Sequence, residues 1–402
     1  MKKIIILSLC LIAGIYTSTA QDTGEEMKYR RSSIYSIMVK HDNQKFADTI
    51  ASVFKVMPVP DKYNDHDLSV KVISTTNKDN VSEASVKSFL EDNGVASRLV
   101  SKWFNRDFTT GVCDVELVRE RGLYSASERD KAIAHQSVRG DAMLEDAGME
   151  LINNTFVLVN DIHYIDQAKK GAGWGAFLKI AGSIAAQYTG NSSWEDIGNS
   201  AGTIAETYKG FKVKILTHLY QLVWDDESEA IFYNQIWADA PDETKRSAMN
   251  LYRDKFKLKY IGTQESDGSN TSFLGINEDE PRLMVRKACQ RALDDNVMNL
   301  QKNFDQFKVK VPLLSVEPIT AQIGLKEGIT EKSKFEVLEV RVKNGKTEYH
   351  RVGTLKPDDN LIWDNRFMAV EEGAANATLG FTTFKKVSGG NFYPGMLIRE
   401  IK

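Results

Sequence analysis

Asp161, His163 and Asp166 are the residues whose types and spacing come nearest to a chemical site. They come directly after the apolar segment Phe156 to Val159. Alternate side chains of a strand share a face, so Asp161 and His163 would lie together, whereas Asp166 is out of register unless the chain bends. A carboxylate beside an imidazole can bind a metal ion or act as an acid or base. The alternative is the polar end of a strand with a hydrogen-bonded histidine.

Two further groups of charged residues predict solvated surface. The first lies in a proline-rich turn, and it lacks the alternating oxygen ligands and the later glutamate of a calcium loop. The second has the composition of exposed ion pairs near a helix end, which contribute little to stability. The first group is Asp61, Asp65, His66 and Asp67, and the second is Arg119, Glu120 and Arg121.

The motifs of several large enzyme classes are missing from the sequence. It contains no zinc-protease helix motif, nucleophile elbow, phosphate loop or paired-cysteine metal motif. We therefore assign no catalytic residue, no metal site and no cofactor from the sequence alone.

The charge balance excludes an electrostatic nucleic-acid binder. The chain has 52 lysines and arginines, 55 aspartates and glutamates, and a formal net charge of −3. Binding to a phosphate backbone needs clustered basic residues. We expect no nucleic-acid partner.

The amino-terminal residues predict an exported protein. Lys2 and Lys3 precede an apolar run from Ile4 to Ile15, and small residues lead to Ala20. This order is typical of a secretory signal peptide over residues 1–20. The predicted location is periplasmic or outer-membrane-associated. Such a compartment permits a disulfide between Cys113 and Cys289, but Cys289 lies on an apolar helical face, which favours a buried thiol over a bridge.

Hydrophobic spacing predicts an α+β fold with a mixed sheet sandwiched by helices. Phe156 to Val159 is apolar on both faces, which indicates a central strand covered on both sides. We expect one helical stretch from Tyr29 to about Asp67, a short strand at Val115 to Val118, and a long hairpin over residues 211–224 and 230–237.

The carboxy-terminal quarter predicts a small β domain or barrel. Asp279 and Pro281 begin a long helix, after which short strands recur, with a hairpin turn at Asn344-Gly345. The expected domains are residues 21–265 with an insertion at 166–210, a connecting loop and helix at 266–304, and a β module at 305–402.

The insertion at 166–210 is rich in glycine, alanine and serine, and it could carry one apolar helical face. That face would contact a membrane surface or a partner protein, or it would pack against the protein's own sheet. Its residues are Trp174, Phe177, Leu178, Ile180 and Ile184.

The order of elements from Val95 to Trp237 resembles the export-pore family of curli secretion and its cell-envelope relatives. The matching segments are Ala96 to Val100, Val118 to Arg121, Asn154 to Asn160 and Val213 to Trp237. Residues Ile323 to Gly328, followed by Phe335-Glu336-Val337, are similar to the carboxy-terminal β module of flagellar-assembly envelope proteins. The resemblance implies assembly with other envelope proteins, and it carries over no site residue.

These observations favour a non-enzymatic envelope component that acts through protein or membrane contacts, and an assembly or secretion apparatus is the context that the resemblance implies. Its expected partners are other envelope proteins or further copies of the chain. The alternative is a secreted hydrolase of envelope polymers, which needs paired carboxylates. Asp161, Glu145 and Asp166 are the first candidates for that role.

Overall fold

The protein has an α+β fold built from a mixed sheet and a separate antiparallel barrel. The computed structural model describes residues 30–125, 145, 148–165, 211–269, 281–343 and 346–401. The strands are β1 Ser32–His41, β2 Tyr63–Asp65, β3 Val72–Thr75, β4 Thr155–Tyr164, β5 Lys212–Val223, β6 Lys257–Ser269, β7 Val311–Val316, β8 Ile319–Ala321, β9 Lys334–Lys343, β10 Lys346–Pro357, β11 Thr382–Gly389 and β12 Leu397–Ile401. The helices are α1 Ala47–Lys55, α2 Glu83–Asp92, α3 Val95–Trp103, α4 Glu116–Ser125, α5 Asp226–Ile231, α6 Glu243–Leu251 and α7 Pro281–Asn303.

β4 is the central strand of the mixed sheet, as its apolar sequence predicts. The sheet order is β2-β1-β4-β5-β6, and β3 pairs with the second half of β1. β1 runs parallel to β2, β3 and β4, whereas β5 and β6 continue the sheet antiparallel. The first eight residues of β4 are buried. The parallel pair β1 and β4 therefore ends at one common edge.

Helices cover both faces of this sheet, which confirms the predicted sandwich. Val157 and Val159 pack with the helices α2 and α3 on one face. Phe156 and Leu158 point to the other face, where α7 contributes Val297. α7 packs closely against β6 at Gly268, where the helix backbone leaves no room for a side chain. The strand β6 continues to Ser269, and α7 belongs to the layer that covers the sheet.

The predicted helical stretch from Tyr29 to Asp67 is wrong at both ends. Only Ala47–Lys55 is helical, and Ser32–His41 is the strand β1. β1 is buried on both faces, with Ile34 and Ile37 each 1% exposed or less. Such a strand has no alternation of apolar and polar residues, so the real helical spacing that follows it extended the prediction too far.

Two further predicted strands are helices. The segment from Val115 to Val118 enters α4, where Asp114 Oδ1 accepts a hydrogen bond of 2.9 Å from the Glu116 amide. The second strand of the predicted hairpin, over residues 230–237, is also wrong, because the chain is helical there. Asp225 caps α5 by accepting a 2.9 Å hydrogen bond from the Ser228 amide. Side-chain caps of this kind fix helix starts that strand propensity does not reveal.

β6, rather than residues 230–237, is the antiparallel partner of β5. The segment from Thr263 onward, expected to be a loop, completes this strand.

The carboxy-terminal strands close into a barrel in the order β10-β11-β8-β7-β12-β9, which confirms the predicted β module. All of its strand pairs are antiparallel. Phe335 and Phe384 meet edge-to-face in its core, with ring centroids 5.3 Å apart. The strand β11 was not predicted, and the Asn344-Gly345 turn lies outside the described residues.

α7 also joins the sheet to the barrel. Lys287 is fully buried on this helix, and its Nζ lies 2.5 Å from Glu372 Oε1 in a barrel loop. Arg291, one turn further on, contacts the same carboxylate at 2.7 Å. Two cations on one helix face thus hold a single carboxylate of the barrel.

Cys113 and Cys289 are separate, buried thiols. Burial raises the pKa of Cys289 to about 12.

In the described part of the chain no helix is both long enough and apolar enough to cross a membrane.

His66 and Arg121 are buried, contrary to the solvated surface predicted for their segments. His66 Nε2 donates a 2.9 Å hydrogen bond to the Leu99 carbonyl, and its Nδ1 accepts one from Arg121 Nη1. Arg121 also donates to Ser33 Oγ at 3.0 Å, and its guanidinium lies 4.4 Å from the Trp103 ring centroid. Sequence position cannot distinguish Arg121 from the exposed Arg119 two residues earlier.

We expect the stability of the protein to fall as the pH falls below about 6.5, the pKa of an unfolded histidine. Burial first, and the Arg121 and Lys102 charges second, hold the pKa of His66 well below its ordinary value. The unfolded chain therefore binds a proton that the folded chain excludes, so the free energy of unfolding decreases on acidification by up to about 1.4 kcal/mol per pH unit. Above that pH this contribution is constant.

Urea unfolding between pH 5.5 and 7.5 measures this slope. This slope should be smaller in the His66→Asn variant by the contribution of about one proton, because asparagine does not titrate. His350→Asn is the matched control, since His350 is exposed beside Glu348. An unchanged slope in His66→Asn would show that His66 does not titrate on unfolding.

Candidate metal centre

The candidate site lies where the parallel strands β1 and β4 end. Val39 pairs with Asp161, so His41 on β1 and His163 on β4 each follow two residues later. Alternate residues of a strand share a face, which places these side chains together with Asp161 on the α2 and α3 side of the sheet. The carboxyl edge of parallel strands is the usual place for ligand sites in sheets of this kind.

His41, Asp161 and His163 form a compact cluster, which we call the trio. Asp161 Oδ1 lies 2.6 Å from His41 Nε2 and 2.8 Å from His163 Nε2. The two imidazole rings are tilted against each other with centroids 4.1 Å apart. One ligand atom from each residue lies within 4.8 Å of the others. Two nitrogens and one oxygen therefore converge on one point.

The loop between β3 and α2 holds the trio in place. The Asn77 carbonyl accepts a 2.7 Å hydrogen bond from His41 Nδ1, and the Val81 amide donates one of 2.7 Å to Asp161 Oδ2. Gln44, in the turn after β1, lies with its Nε2 3.2 Å from His163 Nδ1. Each member of the trio thus has an outer partner that fixes its orientation, as ligands of metal sites usually do.

Asp161 remains ionised although it is fully buried. Burial raises the pKa of its carboxyl group, but the adjacent His163 and His41 rings and a hydrogen bond from the Val81 amide lower it by more, and the net pKa is below the ordinary value. A buried carboxylate is costly unless positive charge or hydrogen-bond donors compensate it. The trio therefore contains a negative charge that attracts a cation.

The hydrogen bonds of His41 are compatible with a metal ion at its Nε2. Its Nδ1 faces the Asn77 carbonyl and its Nε2 faces the Asp161 carboxylate. The Asn77 carbonyl can only accept a hydrogen bond, so Nδ1 is the donor of that pair. A metal ion bound at Nε2 would leave this hydrogen bond in place.

His163 Nε2 is the least satisfied atom of the trio. It is buried, and it makes no hydrogen bond of acceptable geometry despite its short distance to Asp161. Buried polar atoms are nearly always paired in native structures. A metal ion bound among the three ligand atoms would give this nitrogen the partner that it lacks.

His218 extends the polar network but stands apart from the trio. It lies opposite Val159 on β5. Its Nε2 lies 3.2 Å from the Val81 carbonyl and its Nδ1 3.2 Å from Thr263 Oγ1. Burial lowers the pKa of His218, and the nearby Asp161 charge offsets only part of this effect. Both ring nitrogens are engaged, so His218 supports the loop.

The donor set of the trio fits a divalent transition metal. Two imidazoles and one carboxylate suit zinc and its neighbours, whereas calcium and magnesium prefer oxygen ligands alone. Three protein ligands leave a fourth position of a tetrahedral zinc ion for water or another group. His41 would bind through Nε2, Asp161 through its carboxylate and His163 through Nε2.

The structure brings together two of the three residues selected from the sequence. Asp161 and His163 share one face, and Asp166 lies outside the described residues. Glu145, a candidate of the hydrolase alternative, instead pairs with Arg119 at 3.2 Å. The apolar residues proposed for membrane or partner contact, Trp174, Phe177, Leu178, Ile180 and Ile184, also lie outside the described residues.

Sequence reasoning missed His41, because it assigned this part of the chain to a helix. Had Ser32–His41 been recognised as a strand parallel to β4, a histidine at its carboxyl end would have been a candidate ligand.

Comparison with known proteins gives no independent assignment. No model of a known protein family matches the chain, and no curated protein matches it. The argument for function therefore depends on the geometry of the trio.

Proposed function

We propose that this chain is an exported cell-envelope protein that acts by binding, and that its trio holds a divalent transition metal of the zinc class. One observation carries the metal assignment: His41 Nε2, the Asp161 carboxylate and His163 Nε2 converge within 4.8 Å of one another. The ionised Asp161 and the unsatisfied His163 nitrogen support it.

The burial of the trio favours a metal that supports binding over one that turns over substrate. His41 is 2% exposed and Asp161 is fully buried, so a large polymer cannot reach them directly. The metal would connect the ends of β1 and β4 beneath the loop that contains Asn77 and Val81. Metal binding to the folded state alone stabilises it by mass action, and the loop would be presented to a partner in one conformation.

The proposed partners are other envelope proteins or further copies of the chain. The signal-like leader and the resemblance in the order of elements support this context. The closed barrel supplies a second folded module for such contacts.

Isothermal titration of the purified, chelator-treated protein with zinc tests the proposal. We expect one zinc ion per chain and a dissociation constant below about 1 µM, equivalent to about −8 kcal/mol. His163→Gln removes one metal ligand, so the affinity for zinc should fall. His163 is the most exposed member of the trio, so the fold should survive. His350→Gln is the matched control, because it removes an exposed imidazole of the barrel that pairs only with Glu348 among the described carboxylates.

Equal zinc binding by the wild type and His163→Gln would contradict the assignment, as would no binding by either protein. Circular dichroism of each variant shows whether the fold is retained.

Hydrolysis is the second candidate function, because three protein ligands would leave a bound zinc ion one position for water, as in catalytic zinc sites. If the zinc-loaded protein degrades an envelope polymer and His163→Gln does not, hydrolysis replaces binding as the function.

A further inference from the structure

A basic cavity lies between the mixed sheet and the barrel, at the opposite end of β1 from the trio. It has a volume of about 250 Å³. Its walls come from the start of β1, the chain before β2 and β4, the segment leading to β7, and β10. The charged and aromatic lining residues are Arg31, Lys62, Glu150, Lys308, Lys310 and Tyr349.

Positive charge in this cavity exceeds negative charge. Four cationic side chains line it against the single carboxylate of Glu150. The Arg31 guanidinium lies 3.8 Å from that carboxylate. Lys308 pairs at 2.6 Å with Asp305, whose side chain is 86% exposed. Pairs with exposed carboxylates contribute little to stability, so the pair with Asp305 would not prevent Lys308 from contacting a ligand.

Lys310 lies beside an aromatic ring rather than a carboxylate. Its Nζ lies 4.6 Å from the Tyr349 ring centroid, and the Arg31 guanidinium lies 5.5 Å from the same centroid. Among the described residues, no carboxylate forms an ion pair with Lys310. Burial first, and the Arg31 and Arg399 charges second, lower the pKa of Lys310 to about 8. A bound anion would restore the balance of charge at this point.

We infer that this cavity binds the phosphate group of a small phosphorylated molecule. A phosphate offers several acceptor oxygens to the lysine and arginine donors that converge here, and arginine and lysine are the usual side chains for this group. The cavity exceeds the size of a phosphate ion, which leaves space for an attached organic group. Its walls belong to both the sheet and the barrel, so the ligand would connect the two.

The phosphate could be carried by a soluble metabolite or by a lipid headgroup. Titration of the purified protein with glycerol 3-phosphate tests the first source. Sedimentation with vesicles of phosphatidylcholine and phosphatidic acid, with pure phosphatidylcholine as the blank, tests the second. The inference does not depend on the metal, so the chelator-treated protein and the zinc-loaded protein should bind the anion equally well.

Two variants identify the site, one in the segment leading to β7 and one in the chain just before β1. Lys310→Gln and Arg31→Gln should each weaken phosphate binding at least about tenfold, the factor expected for one charged hydrogen bond. Lys385→Gln is the matched control on the barrel, since Lys385 is half exposed and pairs with Asp358. Two variants on separate structural units keep the test informative if one of them misfolds.

Each result has a defined meaning. Binding of glycerol 3-phosphate that both variants weaken supports a soluble ligand. Binding of phosphatidic acid vesicles alone, with the same losses, supports a lipid headgroup. The inference is overturned if neither probe binds at millimolar concentration, or if both variants bind as the wild type does.

Discussion

Asp161→Asn is expected to lower the affinity for zinc by about 100-fold or more, and the free energy of unfolding of the metal-free protein by about 3 kcal/mol. Asp161 Oδ1 lies against both imidazoles and its Oδ2 accepts the Val81 amide hydrogen. Asparagine has the same shape but no charge, and one of its two acceptor atoms becomes a donor, which breaks the contact with His41 or with the Val81 amide. Zinc titration and urea unfolding measure the two effects.

Glu265→Gln is the matched control for this variant. Glu265 also lies on the mixed sheet, in β6, but its side chain is 51% exposed and pairs with Lys214, which is 37% exposed. Removing an exposed pair costs less than about 1 kcal/mol. If Asp161→Asn retains wild-type affinity for zinc, the carboxylate is not a ligand and the trio is a hydrogen-bonded cluster only.

The second large effect is expected at Arg121. Arg121→Ala should lower the free energy of unfolding by about 3–5 kcal/mol. The substitution removes the donor to His66 and to Ser33, and it leaves a cavity beneath the Trp103 ring. Urea unfolding at pH 7.5 measures the change, since the protonation of His66 does not contribute there.

Arg119→Ala on the same helix provides the comparison. Arg119 is 47% exposed and pairs with Glu145, so we expect a loss of about 0–1 kcal/mol. Equal losses in the two variants would show that Arg121 is not the buried anchor of α4.

The two proposed sites lie at opposite ends of one strand. Arg31 directly precedes β1, and His41 is its last residue. Ten residues of extended chain span about 33 Å. A ligand at one end therefore does not contact the other site directly, so the metal and the phosphate can be tested separately.

The sequence predicts those parts of the fold that have a strong local signal. Phe156 to Val159 is apolar on both faces, and it is the central strand. Short strands with a turn signal predict the barrel. The missed strand β1 has no such signal, because it is buried on both faces and is followed by the true helix α1. Tertiary pairing with β4, rather than local propensity, makes it a strand.

The same distinction between local sequence signals and tertiary pairing applies to the candidate site. Alternate residues of a strand share a face, so the two-residue spacing of Asp161 and His163 is enough to predict their contact. His41 lies 120 residues earlier in the chain, and only the register of β1 against β4 brings it to Asp161. Arg121 likewise differs from Arg119 only in the surface of α4 that it occupies, which composition does not encode.

X-ray absorption spectroscopy at the zinc edge, on the purified protein loaded with one equivalent of zinc, tests the trio most directly. The account predicts a first shell of nitrogen and oxygen ligands at about 2.0–2.1 Å, with the outer-shell scattering of two imidazole rings. His163→Gln should reduce that scattering to one ring. A first shell of oxygen alone, without imidazole scattering, would contradict the metal centre.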